Sequence, residues 1–257
     1  MIALFSYSFT SWNGISTTKE FIGFDNYIKI LTDEKYIEVF KNCIYYFASG
    51  IFQMLLGFTL ACILSFKTKF KGIFKSIIIL PILISGVAIS LMFRVFFAPN
   101  GTLDFIFTLF GMEEHIRYWI GDPRIVNFSL AFISLWRFTA MSFILYFTAI
   151  QSIPRDYFKA AMIEGSGSFD IVRYVIIPSI GKVIKLNSTM LIIGAISVFD
   201  IPMIMTDGSN GTSTFLVETM KTAFESKRIG LAASMAIIVS IVIIIATVIQ
   251  RKMQKEE

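Results

Sequence analysis

The sequence has few of the side chains on which enzymes rely. One histidine, His115, and two cysteines occur among its 257 residues. No Cys-x-x-Cys, His-Glu-x-x-His or Gly-x-Ser-x-Gly pattern is present, and no Gly-x-x-x-x-Gly-Lys-Ser/Thr loop for nucleotide phosphates. His115 follows two glutamates, but one imidazole beside adjacent carboxylates lacks the ligand spacing of a metal site. We therefore predict no catalytic residue, no metal site and no cofactor bound by this chain.

Charged residues are also scarce, at 16% of the chain, whereas 55% of the residues are hydrophobic. This composition is too apolar for a soluble domain of such length. Several uncharged runs approach the roughly 20 residues that a helix needs to cross hydrocarbon, and two more are interrupted by Arg137 or Asp200. We predict an all-α, polytopic transmembrane helical bundle with five full spans, at about 42–66, 76–97, 127–150, 186–206 and 229–250.

Lysine and arginine favour one side of this bundle. They cluster in the loop from Lys67 to Lys75, in the loop 152–185 and in the tail 252–257. Cytoplasmic loops carry such an excess of basic residues. We therefore predict a multi-pass protein of the plasma or inner membrane, with a transmembrane domain at 41–251, an external segment before it and a cytoplasmic C-terminus.

The connection after the second of these spans is predicted to be external. Pro99-Asn100-Gly101 marks a turn, and the residues from there to about Asn127 are predicted to form a solvated loop. Arg94 lies near the outer end of the preceding span. Its side chain is expected to reach the lipid headgroups, or alternatively to serve at an external gate.

The longest polar interruption on the basic side predicts a helix-turn-helix elbow. Ser152 and Pro154 suit the start of a short helix, with Tyr157, Ala160, Ala161 and Glu164 on one face. Gly165-Ser166-Gly167 would end it. Ser168 is then expected to cap a second helix, with Asp170 in its first turn and Pro178 stopping or kinking it.

This elbow resembles the EAA loop of the permease subunits of binding-protein-dependent ABC importers. Ala160, Ala161, Gly165, Val175, Ile177 and Pro178 stand at the offsets of that motif, whereas its leading Glu is replaced by Lys159. The resemblance implies a coupling helix that docks into a cytoplasmic ATPase. The residues expected to couple are Lys159, Ala160, Ala161, Glu164, Gly165 and Pro178.

Other stretches are similar to the sugar (maltose-type) permease family. They are Ser8-Phe9-Thr10-Ser11-Trp12, residues 21–27, Phe199-Asp200, residues 205–208 and Ser213-Thr214. The resemblance implies a carbohydrate substrate, a second homologous permease subunit in a heterodimer, two ATPase subunits that bind ATP and Mg²⁺, and an extracytoplasmic solute-binding protein. It also implies that residues 1–40 hold the remnant of a first helix, so we expect the coding sequence to extend upstream or the chain to be shortened.

Two charged residues inside the spans indicate a candidate translocation path. Arg137 lies near the middle of a span, where a charge costs at least about 2.5 kcal/mol, so it should face protein or water. Ser134, Arg137 and Met141 share a helical face, and Tyr146 could stack on sugar rings or simply pack. Asp200 is predicted either to pair with Arg137 or to remain a helix-end carboxylate in external water.

The two charged residues are also consistent with an alternative function. Arg137 and Asp200 could form the ion or proton site of a self-sufficient, ion-coupled secondary transporter. An integral membrane enzyme is disfavoured, because the catalytic patterns above are missing from the sequence.

Overall fold

Apolar helices make up most of the computed structural model, which describes residues 2–66 and 70–253. Met1, the predicted loop residues Lys67 and Lys69, and tail residues 254–257 lie outside the described residues. The α-helices, in chain order, are α1 Ile2–Ser8, α2 Asp25–Thr32, α3 Glu34–Ser65, α4 Lys71–Leu83, α5 Gly86–Phe96, α6 Thr102–Leu109, α7 Val126–Gln151, α8 Arg155–Ile163, α9 Ser168–Asp170, α10 Ile177–Ser179, α11 Gly181–Ile196, α12 Asp200–Thr206, α13 Phe215–Phe224 and α14 Ile229–Met253. Within the described residues there is no strand, so the all-α prediction is confirmed.

The helices suit a membrane by length and hydropathy. The helical stretches that are long and apolar enough to cross a membrane alone are Glu34–Ser65, Val126–Gln151, Gly181–Thr206 (which comprises α11 and α12) and Ile229–Lys252. Helices α4 and α5 meet the same criterion only when they are counted together as a bent pair. The predicted number of five spans therefore remains a prediction.

One continuous helix at 76–97 was the wrong expectation. The chain is extended at Ile84, with φ −86° and ψ 138°, and α5 starts only at Gly86. Hydropathy cannot detect this interruption, because both halves are apolar. Ser85 and Gly86 are weak helix formers, so they are suitable residues for such a break.

The predicted span at 186–206 is likewise interrupted, between Ile196 and Asp200. Pro202 explains the break, because its ring would clash with the carbonyl four residues earlier, that of Val198. The freed Val198 carbonyl accepts a hydrogen bond from the Thr214 hydroxyl at 2.6 Å. Thr214 Oγ1 in turn accepts from the Val217 amide at the start of α13.

The described residues pack as two units. Residues 2–47, 86–133 and 192–253 form the first unit, and residues 48–66, 70–85 and 134–191 form the second.

In the first unit, the N-terminal segment is held against α14. Ser234 Oγ and Asn26 Nδ2 both donate to the Ser8 carbonyl, at 2.8 and 2.9 Å, and the Gly230 amide donates to the Trp12 carbonyl. A Cβ on Gly230 would overlap the Thr10 carbonyl. The small residues Gly230 and Ser234 at the start of α14 therefore permit close packing here.

The segment between α5 and α7, which was predicted to be a solvated external loop, contains the helix α6 and a buried carboxylate, so it is more ordered than expected. Asp104 is 6% exposed, and its two carboxylate oxygens accept from Trp119 Nε1 and the Asn100 amide, each at 2.8 Å. The Trp119 ring stacks on Phe107 with centroids 5.6 Å apart. A buried carboxylate satisfied in this way organises the polypeptide around it.

In the second unit, α3 and α7 approach closely at Gly57. A Cβ there would lie 2.6 Å from the Ser142 Cβ and 2.9 Å from the Phe143 amide nitrogen. The cluster beside this contact includes Ala61, Phe143 and Tyr146, which are almost completely buried. Close packing at glycine is a common way for apolar helices to associate without a hydrophobic driving force.

We expect Gly57→Leu to destabilise the second unit by about 1–3 kcal/mol, because the added side chain would push against the α7 backbone. Thermal unfolding of the purified protein in one detergent measures this. Gly194→Leu is the matched control, since nothing lies within 4 Å of a Cβ at Gly194. Equal unfolding midpoints for the two variants would contradict the proposed contact.

Candidate functional site

The elbow of the second unit begins with α8. Pro154 precedes the helix with φ −57° and ψ 136°, so its missing amide hydrogen costs nothing there. The helix ends at Ile163, and Gly165 adopts the left-handed conformation with φ +82°. The Gly165 amide donates to the Met162 carbonyl and the Ser166 amide to the Ala161 carbonyl. This is a Schellman motif, and the predicted helix end at Gly165 is confirmed.

Helix α8 has an inward and an outward face. Phe158 and Ala161 pack against the core of the second unit. Tyr157 and Ile163 are 63% and 87% exposed, and Met162 is exposed as well. Ala160 is exposed whereas Ala161 is half-buried, so the two alanines of the predicted face differ in their exposure. Residues three apart on a helix lie on the same side. Because Phe158 packs against the core, Ala161 is turned toward the core as well.

The second arm of the elbow differs in detail from its prediction. Gly167, and not Ser168, precedes the helix, and Asp170 Oδ2 accepts a hydrogen bond from the Gly167 amide at 3.1 Å. The expected first-turn position of Asp170 is confirmed. The helix runs as a π-helix over Ile171–Ile176 into α10, which ends at Ser179, one residue after Pro178, in agreement with the prediction that this proline stops or kinks it. The wider turn accommodates the lost hydrogen bond of the proline, as is usual for π-helical segments.

The reversed charge at Lys159 has a local partner. Lys159 Nζ lies 3.0 Å from Asp156 Oδ1, one turn earlier on α8, and both side chains are exposed. Such an exposed pair contributes only about 0.3–0.5 kcal/mol to the helix. Lys159 can therefore leave Asp156 and pair with another protein with little loss of helix stability.

The candidate path residues are spread over the two units. On α7, Ser134 is buried, Arg137 and Met141 are half-buried, and the Arg137 guanidinium lies 5.0 Å from the centroid of the Phe138 ring. Tyr146 is 2% exposed and packs edge-on against Phe58 in the core of the second unit. Asp200 begins α12 in the first unit. The path and the pairing of Arg137 with Asp200 remain predictions.

Comparison with known proteins places the chain in a family. Residues 53–256 match the family described as binding-protein-dependent transport system inner membrane component. The chain belongs to this family. It is thus the permease subunit of an ABC importer, and it resides in the membrane.

Individual relatives of the permease agree with this placement. It is 29% identical over 253 residues to a multiple sugar-binding transport system permease of Streptococcus mutans, covering 97% of this chain and 87% of the relative. It is also 29% identical over 236 residues to an osmoprotective compounds uptake permease of Synechocystis, covering 88% and 83%. A bacterial alginate ABC transporter, crystallised with an alginate-bound periplasmic protein, has the same fold, with a TM-score of 0.84 at 18% identity over 91% of this chain and 83% of that one.

The permease also contains a buried polar cluster that the sequence did not reveal. Ser142 Oγ on α7 accepts from Asn187 Nδ2 on α11 at 2.9 Å and from Gln53 Nε2 on α3 at 3.2 Å. Ser142 and Asn187 are buried and Gln53 is half-buried, and each is a polar residue within an otherwise apolar helix, which is the signal that the sequence offers. The cluster joins three helices of the second unit by hydrogen bonds between side chains.

We expect Gly165→Ala to weaken the end of α8 by roughly 1 kcal/mol, because a side chain disfavours the left-handed conformation. Hydrogen exchange at the Ser166 amide should accelerate by about fivefold, as measured by mass spectrometry on the purified permease. Gly167→Ala serves as the control, since Gly167 has φ −75°. Similar exchange in both variants would contradict this account of the turn.

Proposed function

We propose that this permease forms the membrane path for a carbohydrate or a related small polar solute, and that the loop 159–178 couples it to cytoplasmic ATPases. The observation that carries the proposal is the exposed apolar side of the elbow. Tyr157, Met162 and Ile163 project from a short helix with a well-defined end, outside the long apolar helices. Exposed apolar patches of this kind indicate a protein interface.

The elbow suits force transmission because it is fixed to its own unit. One core cluster includes Tyr146 and Ile150 of α7 and the buried Ile171 and Ile176 of the π-helix. Phe158 and Ala161 of α8 pack against this cluster. A displacement of the outer face would therefore move the spans. In the proposed cycle, ATP-driven closure of two ATPase subunits moves the docked elbows and switches the path between its outward and inward openings.

The proposal includes the other subunits of the importer and their ligands. In it, ATP and Mg²⁺ bind to the ATPase subunits, and this chain binds no cofactor and has no ATPase site. A second, homologous permease subunit completes the path as a heterodimer, an extracytoplasmic solute-binding protein delivers the solute, and the C-terminus lies in the cytoplasm. The names of the relatives that transport sugars or osmoprotective compounds support the solute class.

Replacing Ala160 with Trp should abolish coupling, because the indole would occupy the surface that the ATPase approaches. We expect at least a tenfold loss of ATPase co-purifying with a tagged permease from native membranes, together with loss of solute uptake. Thr108→Trp, at an exposed position in α6, is the control. Normal co-purification and uptake with Ala160→Trp would disprove the coupling role, whereas uptake by the permease alone with an ion gradient would support a secondary transporter.

The proposed pairing of Arg137 with Asp200 predicts non-additive effects on transport. Arg137→Gln and Asp200→Asn should each lower the uptake rate, and the double variant should lose less than the product of the two single losses. Paired charges show coupling energies of about 0.5–3 kcal/mol in such cycles. Uptake into membrane vesicles measures the rates, and strictly multiplicative losses would argue that the two residues act independently.

A further inference from the structure

We propose that a pocket around Arg94 in the first unit binds the carboxylate of an acidic saccharide before the sugar enters the membrane path. This inference rests on the proposed function, because it assigns a solute class to it. The pocket has a volume of about 310 Å³, at the lower end of the usual range for ligand sites. Its walls come from the end of α5 and the residues just after it, from the turn at 118–121, and from the end of α12 with the loop that follows.

Arg94 provides an uncompensated positive charge in this pocket. Its side chain is exposed, and no hydrogen bond or ion pair engages it within residues 2–66 and 70–253. Three acids of the flanking segments already have partners. Asp122 lies 3.4 Å from Arg124, Asp207 lies 3.0 Å from Lys221, and both oxygens of Asp104 accept hydrogen bonds. The unmet charge therefore favours an anionic ligand.

The wall formed by Trp119 and the turn at 118–121 is held in place by several contacts. Trp119 donates from Nε1 to Asp104, its carbonyl accepts from Ser129 Oγ at 2.8 Å, and its ring stacks on Phe107. Asn210 Nδ2 donates to the Ile120 carbonyl at 3.2 Å, which joins the turn at 118–121 to the loop after α12. A pocket ordered before binding loses less entropy when a ligand enters.

The shape and chemistry of the pocket favour a sugar acid among anions. A guanidinium binds a carboxylate through two parallel hydrogen bonds. Tyr118, which is 72% exposed, and Trp119 add aromatic surface that a pyranose ring can cover. A phosphate of a lipid headgroup presents similar oxygens to Arg94, so the experiment must distinguish the two sources.

The test is calorimetric titration of the purified permease in nanodiscs of neutral phosphatidylcholine, with a uronic acid disaccharide and its neutral counterpart as probes. We expect the acid to bind at least tenfold more tightly than the neutral sugar. Arg94→Gln should raise the dissociation constant of the acidic disaccharide by roughly tenfold to a hundredfold, which is the usual effect of losing a charge-assisted hydrogen bond. Arg124→Gln, which changes an external arginine outside the pocket, should leave binding unchanged.

Three results would overturn the inference. The first is that the acid binds Arg94→Gln with the same affinity as it binds the unchanged protein. The second is that the neutral sugar binds the unchanged protein as tightly as the acid does. The third is that nanodiscs containing phosphatidylglycerol abolish binding of the acid. The last result would assign the pocket to a lipid headgroup. An unchanged thermal midpoint shows that Arg94→Gln is folded. Because no ATPase or uptake is involved, this binding succeeds or fails independently of coupling through the elbow.

Discussion

Backbone carbonyls that lose their helical partners need other donors, and this requirement determines much of the permease. Hydrocarbon offers no water to a broken helix, so the protein itself must supply the donor. At the break before Pro202, the Thr214 hydroxyl donates a hydrogen bond to the Val198 carbonyl. At the N-terminal segment, the side chains of Asn26 and Ser234 donate to the Ser8 carbonyl. Irregular backbone in this fold is therefore found where polar side chains from other elements reach it.

The same rule explains the loop after α12. Asp207, Gly208, Asn210 and Gly211 all have positive φ, and the carbonyl of Gly211 is bound by side chains of other elements. Asn42 of α3 and Asn127 of α7 both donate to the Gly211 carbonyl, at 2.9 and 3.0 Å. Three elements of the first unit thus meet at one oxygen atom. The left-handed residues are glycine, asparagine and aspartate, which tolerate this conformation best.

Sequence patterns predicted the features that depend on local chemistry. The apolar runs predicted the long helices, and Gly165 predicted the end of α8. Features that depend on tertiary contacts were missed. The orientation of Ala161 follows from the burial of Phe158, and the break at Ile84 lies between two equally apolar halves. The cluster around Ser142 requires three helices to meet, and no single segment encodes that meeting.

The two neighbouring alanines of the elbow are small for different reasons. Ala161 is limited by the core of its own chain, whereas Ala160 borders the space that a partner would occupy. A harmful change at Ala161 could therefore be rescued by a smaller residue elsewhere in this chain. A harmful change at Ala160 would need its rescue in another gene. Suppressor mutations of the two changes should therefore arise in different genes. Their positions would show which molecule contacts each side of the helix.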